Sequence, residues 1–203
     1  MVWPPACCWL RLRRRRLKAL QFEETGYWLS QLVPAKLEFR KLDEWRIASA
    51  QIDEQQALAA TANFGEVDTG LTSDESGQSV RCELLAVAQA EQPAIATAVL
   101  AAAELLRSAG GVLPAQPGVL LPDIGQKFAE LEQDHLTVRH GLLAVPYLWS
   151  GKTPRLEEDD RLTLICQLIM LTDAEYEFAV EHGVGKLQDK LSTEGIDPGN
   201  WGR

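Results

Sequence analysis

Apolar and polar positions change their period from block to block along the chain, and each change predicts an element. From Val80 to Ala88, residues Val80, Cys82, Leu84, Ala86 and Ala88 point one way while Arg81 and Glu83 point the other, which predicts a half-buried strand. Pro93 then suits a first helical turn, and Ile95, Val99, Ala102 and Leu106 recur at helical spacing until Gly110 and Gly111 stop them. Arg161 to Leu171 is apolar on both faces after its first residues, as a central strand covered on both sides should be. Thr172 opens a helix with a capping box to Glu175, and Tyr176, Ala179 and Val180 supply its inward stripe. His182 and Gly183 break that helix, and Val184, Leu187 and Leu191 mark a second one that ends near Gly195.

The remaining blocks are less regular. Phe22 to Leu42 mixes aromatics and charges around Pro34 and predicts a short helix followed by an edge strand. Residues 45–52 and 57–64 read as two strands, although the alanines of the second tolerate a helix equally well. Residues 65–77 form a loop by their Gly, Ser and Asp content, and residues 110–125, with Pro114, Pro117, Gly118 and Pro122, form a rigid connection. A brief helix is expected from Ile124 to Gln133, a strand from Val138 to Val145 bounded by Pro146, and a polar turn over residues 150–160. No internal repeat is visible. The sum is an α+β fold, a layered sandwich with a mixed, largely antiparallel sheet and helices packed on it.

At 203 residues the chain has the length of one domain, and its 46% hydrophobic and 24% charged residues are ordinary globular values. Charge changes the picture more. The formal net charge is −9, yet six of the 20 basic residues lie in the first twenty positions, which leaves −15 on residues 21–203. A body so acidic repels phosphate backbones, so general nucleic-acid binding by the folded part is not expected, whereas a basic protein partner is. Residues 1–20 are expected to be a disordered basic arm preceding a single domain over residues 21–203. The arm places its apolar stretch before its arginines, the reverse of a secretory signal. The longest near-apolar run, Ala94 to Leu106, is too short to span a bilayer. Cys7, Cys8, Cys82 and Cys166 form no disulfide framework and no CxxC pair, which fits reduced thiols in a cytoplasmic protein.

Candidate chemistry is sparse. Gly151-Lys152-Thr153 and Gly183-Val184-Gly185-Lys186 imitate a phosphate loop, but the position that should hold its first glycine is Pro146 in one case and Val180 in the other. His135, His140 and His182 lie in no metal-ligand pattern, no GxSxG elbow offers a serine nucleophile, and Cys166 sits in an apolar strand that should raise its pKa. No cofactor or metal is implied. The alternative to a binding protein is an unrecognised hydrolase or transferase, and its signature would be His140 or His182 beside a carboxylate and a hydroxyl in one pocket. What the residues do offer is Pro146-Tyr147-Leu148-Trp149 at a strand end, where Pro146 cannot extend a central ladder and the chain should emerge at the rim. Tyr147, Leu148 and Trp149 are the expected anchors for a partner, against the alternative that they pack in the core. Asp123 joins them if its turn packs against that rim, and Glu157, Glu158, Asp159 and Asp160 supply a negative field.

The order of motifs resembles the suppressor-of-fused domain family. The matching features are LLPDIG at residues 120–125, AVPYLWSG at 144–151, the strand at 162–171 running into LTDAEYEFAVEHGV at 171–184, GKLQDKLSTEGID at 185–197, then Trp201 and Arg203. Upstream, Thr69-Gly70-Leu71 and Arg81-Cys82-Glu83-Leu84 match a turn and a strand of the family. The resemblance covers about residues 45–203 and implies an α/β sandwich that is not an enzyme. The family's animal member restrains a transcription factor in Hedgehog signalling by holding an extended peptide with the help of a second lobe, which this sequence does not show. Bacterial relatives include stand-alone domains regarded as immunity proteins against secreted toxins, so the resemblance implies a protein-binding module of the immunity or regulatory kind.

Overall fold

The structure is a computed structural model and describes residues 22–131, 133, 135–149 and 152–203. The basic arm at 1–20, with Cys7 and Cys8, and Gly151 of the first phosphate-loop imitation lie outside the described residues.

Among the described residues eight strands form one open sheet. Strands β1 (Glu38–Leu42), β2 (Trp45–Gln51), β3 (Ala57–Thr61) and β4 (Ser79–Ala88) follow one another in antiparallel order. Beyond β4 come β8 (Arg161–Leu171), β6 (His140–Ala144) and the two-residue β5 (Leu120–Leu121). Among the described residues β4 with β8 is the one parallel pair, and its register sets Cys82 beside Leu164 and Leu84 beside Cys166. The other edge of β8 is shared: β6 covers Gln167 to Leu171, and β7 (Arg155–Glu157) covers Leu162 to Leu164.

Helices cover both faces. α2 (Gln92–Ser108) packs on one face, where Ala94, Ala98 and Ala102 meet Ala57, Ala59, Ala86 and Ala88 of the sheet. Small residues on both sides let the helix approach closely, and this contact decides the alanine-rich 57–62 run in favour of a strand with Ala57 and Ala59 facing α2 and Leu58 and Ala60 facing the other way. On that opposite face α1 (Phe22–Leu32) covers Leu58, Leu85 and Ile165, while α3 (Asp173–His182) and α4 (Val184–Glu194) cover Leu142 and Leu171. The capping box forms as the sequence predicts, with the Glu175 amide donating to Thr172 and the Glu175 carboxylate accepting from the Thr172 amide.

Four local expectations change. Val180 is 63% exposed instead of facing inward, because burial of Glu175 and Ala179 centres the packed face of α3 away from it. Glu83, expected on the solvent side of a half-buried strand, is 1% exposed, because the chain after β3 folds back over it. The brief helix after Ile124 is a 3-10 turn over Gln126–Leu131, and the polar turn at 150–160 contains β7. The glycine of LLPDIG also finds its reason here: a Cβ on Gly125 would lie 2.9 Å from the backbone of both Val138 and Arg139.

Candidate protein-docking surface

The first place to look for chemistry is His140 at the start of β6. Its Nε2 lies 2.9 Å from Asp173 Oδ1 and its ring stacks on Tyr176 at 4.1 Å, so a histidine and a carboxylate do meet. The other nitrogen is occupied, however. The Asp123 amide donates to Nδ1 at 3.1 Å, which fixes Nδ1 as acceptor and Nε2–H as donor to Asp173. No ring nitrogen remains to take a proton from a nucleophile, so the pair ties the β5–β6 turn to α3. His182 sits on the surface against Phe178 with Glu181 at 3.9 Å. Among the described residues no three His, Cys, Asp or Glu side chains gather into a metal site, and no helix is long and apolar enough to cross a membrane.

Glu83 is the second titratable group out of place. Its carboxylate accepts from Thr61 Oγ1 at 2.5 Å and from the Phe64 and Gly65 amides at 3.0 Å each. Burial raises its pKa to about 7 against the opposing pull of those three donors. With three donors engaged and a cavity of only about 10 Å3 beside it, Glu83 fastens the turn after β3 to β4. Burial likewise pushes the Cys166 thiol up to about 12 and the Cys82 thiol well up, as expected for inert thiols.

The segment after β6 is different, because it is pinned and exposed at once. As the chain leaves β6, the Tyr147 amide donates to the buried Gln167 side chain at 3.1 Å. Two residues later Trp149 Nε1 donates to the Leu32 carbonyl at the end of α1 at 3.2 Å, and its ring packs on the apolar cluster beneath that helix. Trp149 is thus half-buried and structural. Between the two pins Tyr147 is 51% and Leu148 39% exposed, with Val145 exposed beside them. Fixed backbone under exposed apolar side chains is a preorganised contact surface, since little ordering entropy remains to be lost on binding.

Next to this rim, where β6 has ended and β7 has not begun, lies an apolar groove of about 280 Å3. Its floor is formed by Val80, Cys82, Leu164 and Cys166 of β4 and β8, and Ala115 and Pro117 close it from above. Sequence reasoning missed the groove because its lining comes from six separate segments. Only the Pro-rich connection at 110–125 signalled a rigid wall.

The other expected site residues do not all converge. Asp123 is exposed at the His140 end of β6, one five-residue strand (roughly 15 Å) from the Ala144 end where Tyr147 emerges. Glu157 pairs with Arg155, and Glu158 holds Arg161 through two short bonds of 2.6 and 3.0 Å. Asp159 and Asp160 lie exposed in the β7–β8 turn. Leu162, opposite Glu157, and Gln167, opposite Ala144, are five residues apart on β8, so the acids sit roughly 16 Å along the sheet from Tyr147.

No protein-family model and no curated protein matches the sequence. Solved structures do. The fold is similar to that of suppressor of fused. The crystal structure of the Sufu-Fu complex aligns at 15% identity with a TM-score of 0.45, covering 87% of this chain and 79% of that one. Drosophila Suppressor of Fused aligns at 15% identity with a TM-score of 0.43, again over 87% of this chain and over 44% of its own length. The present chain therefore spans less than half of that protein.

Proposed function

We propose that the chain is a non-catalytic protein-binding module whose docking surface is the Tyr147–Leu148 rim. The observation that carries this reading is the combination of exposed Tyr147 and Leu148 with backbone pinned by Gln167 on one side and by the Trp149–Leu32 bond on the other. The occupied nitrogens of His140 weigh against the hydrolase or transferase alternative. A basic partner suits the formal charge of −15 on residues 21–203, and a secreted toxin neutralised by an acidic immunity protein is the partner class to test first. The test is capture by immobilised wild type and by Tyr147→Ala/Leu148→Ala from the source cell, with identification by mass spectrometry. Specific recovery of one protein by wild type alone supports the rim. Equal recovery by both, with both folded by circular dichroism, removes it.

A further inference from the structure

At the end of the sheet far from the docking rim, β1 is an open edge. It pairs with β2 on one side, and among the described residues no strand or backbone group meets it on the other. The hairpin fixes which of its polar groups are left over. Leu42 and Trp45 flank a two-residue turn with Asp43 at φ 53°, so they form the hydrogen-bonded pair that closes it. Alternation then turns the N–H and C=O groups of Glu38 and Arg40 toward β2 and those of Phe39 and Lys41 outward. Neither face of the sheet seals this edge. On one face Phe22 of α1 meets Phe39 edge-on at 5.6 Å, yet Phe39 stays exposed, as does Tyr27 beside Gly26, which lies over the Phe39 ring. On the other, Arg40 and Leu42 line an open groove of about 460 Å3 against Pro93 and Ala96 at the start of α2.

We propose that β1 pairs with β1 of a second copy of this chain, antiparallel about a two-fold axis at Phe39. Charged residues commonly blunt a sheet edge, and β1 carries Glu38, Arg40 and Lys41. Here they select a register instead of closing the edge. A two-fold axis normal to the sheet keeps every side chain on its own face, so one residue of the strand must lie opposite itself. With Glu38, Arg40 or Lys41 at that position, like charges stand directly opposite each other, which is destabilising. With Leu42 there, the five-residue strands slide almost wholly past each other. Phe39 avoids both faults. It sets Glu38 opposite Arg40 of the second copy on both sides of the axis and places the two Phe39 side chains next to each other. Glu38 and Arg40 are exposed and share a face, where they meet at 3.4 Å within one chain, so the exchange asks for no change of face. The same register joins the outward groups, with Phe39 bonding its own counterpart and Lys41 bonding Leu37. The dimer leaves β6 and the Tyr147 rim free, so it carries two docking rims.

Sedimentation equilibrium of the full chain tests the pairing. Wild type should reach twice the chain mass as its concentration rises toward roughly 1 mM. Arg40→Glu turns both Glu38–Arg40 contacts into repulsions and should weaken the dimer about tenfold or more, and Glu38→Arg should do the same. The double variant Glu38→Arg/Arg40→Glu puts opposite charges back in this register and should recover the wild-type affinity to within about threefold. Lys41→Pro, which removes an outward N–H at a position where an edge strand tolerates proline, should dissociate the dimer without changing the circular dichroism spectrum. A chain that stays monomeric throughout overturns the proposal, and so does a dimer that Arg40→Glu leaves intact. If Arg40→Glu breaks the dimer and the double variant fails to restore it, the Phe39-centred register is wrong and the proposal falls as well. Partner capture through Tyr147 and Leu148 should survive in every one of these variants, so the docking rim and the paired edge can each fail alone.

Discussion

Arg203 grips Glu175 through two parallel bonds, Nε to Oε1 at 2.9 Å and Nη2 to Oε2 at 2.7 Å, with both side chains only 10% exposed. The same guanidinium donates to the carbonyls of Met170, Pro198 and Asn200, so one side chain joins β8, the first turn of α3 and the segment that follows α4. Removing one member of a buried pair leaves the other charge unmatched, which costs about 3 kcal/mol or more. Arg203→Ala should therefore melt roughly 6–12 °C below wild type for a chain of this size. A melting point within about 2 °C of wild type would show that the pair carries no such weight.

Thr172 acts on the same helix through a smaller term. Its hydroxyl accepts from the Glu175 amide, and its own amide donates to the Glu175 carboxylate at 2.9 Å. Thr172→Ala removes only the first of these, so the expected loss is about 1 kcal/mol. Urea titration should show a lower midpoint with an unchanged slope. An unmoved midpoint would mean that the Glu175 carboxylate caps the helix without help.

These two residues also mark how far the sequence could be read. The capping box needs only residues three apart, so Thr172 and Glu175 announced it in the sequence. The central strand at 161–171 and the helix after Pro93 were legible for the same reason, since each carries its own period. The grip of Arg203 on Glu175 spans 28 positions and leaves no periodic trace. The same holds for Glu83: alternation placed it correctly on the face opposite Cys82, but burial came from the turn after β3, which no local pattern specifies. At the docking surface the Pro146 signal for an emerging chain was readable, whereas the split between structural Trp149 and exposed Tyr147 depends on α1, more than a hundred residues upstream.

Glu83 makes stability depend on pH in a direction opposite to that of a salt-bridged acid. Its pKa is raised from 4.5 to about 7 in the folded protein, chiefly by burial. The folded state therefore holds the proton more tightly than the unfolded state. The stabilisation linked to that proton is complete below pH 4.5 and is lost as pH rises through about 7. A shift of this size corresponds to about 3 kcal/mol. Glu83→Gln cannot ionise but keeps one acceptor oxygen where the Phe64 and Gly65 amides use two, so the variant should start less stable at acid pH and lack this slope. Urea midpoints measured at pH 5, 6, 7 and 8 should fall for wild type relative to the variant as pH rises, so that the difference between the two moves steadily in favour of the variant. Parallel profiles would show that Glu83 keeps an ordinary pKa.

The last prediction separates the two aromatics of the exposed segment by their work. Trp149 gives its indole N–H to the Leu32 carbonyl, one of the carbonyls that the end of α1 leaves without a helical partner, and its ring rests on the cluster formed by Leu29, Leu58 and Ile165. Truncation should uncover that carbonyl and open a gap, so Trp149→Ala should cost about 3 kcal/mol. Tyr147 contributes its backbone to Gln167 but leaves its ring half in solvent, so Tyr147→Ala should change stability by less than about 0.5 kcal/mol. Leu148→Ala should behave like Tyr147→Ala. Partner capture should show the reverse order, with Tyr147→Ala and Leu148→Ala losing binding while still fully folded. Urea titration of the three single variants beside the capture assay decides the assignment. A destabilised Tyr147→Ala would place that ring in the core, and a fully stable Trp149→Ala would free the segment from α1 and remove the preorganisation on which the docking surface depends.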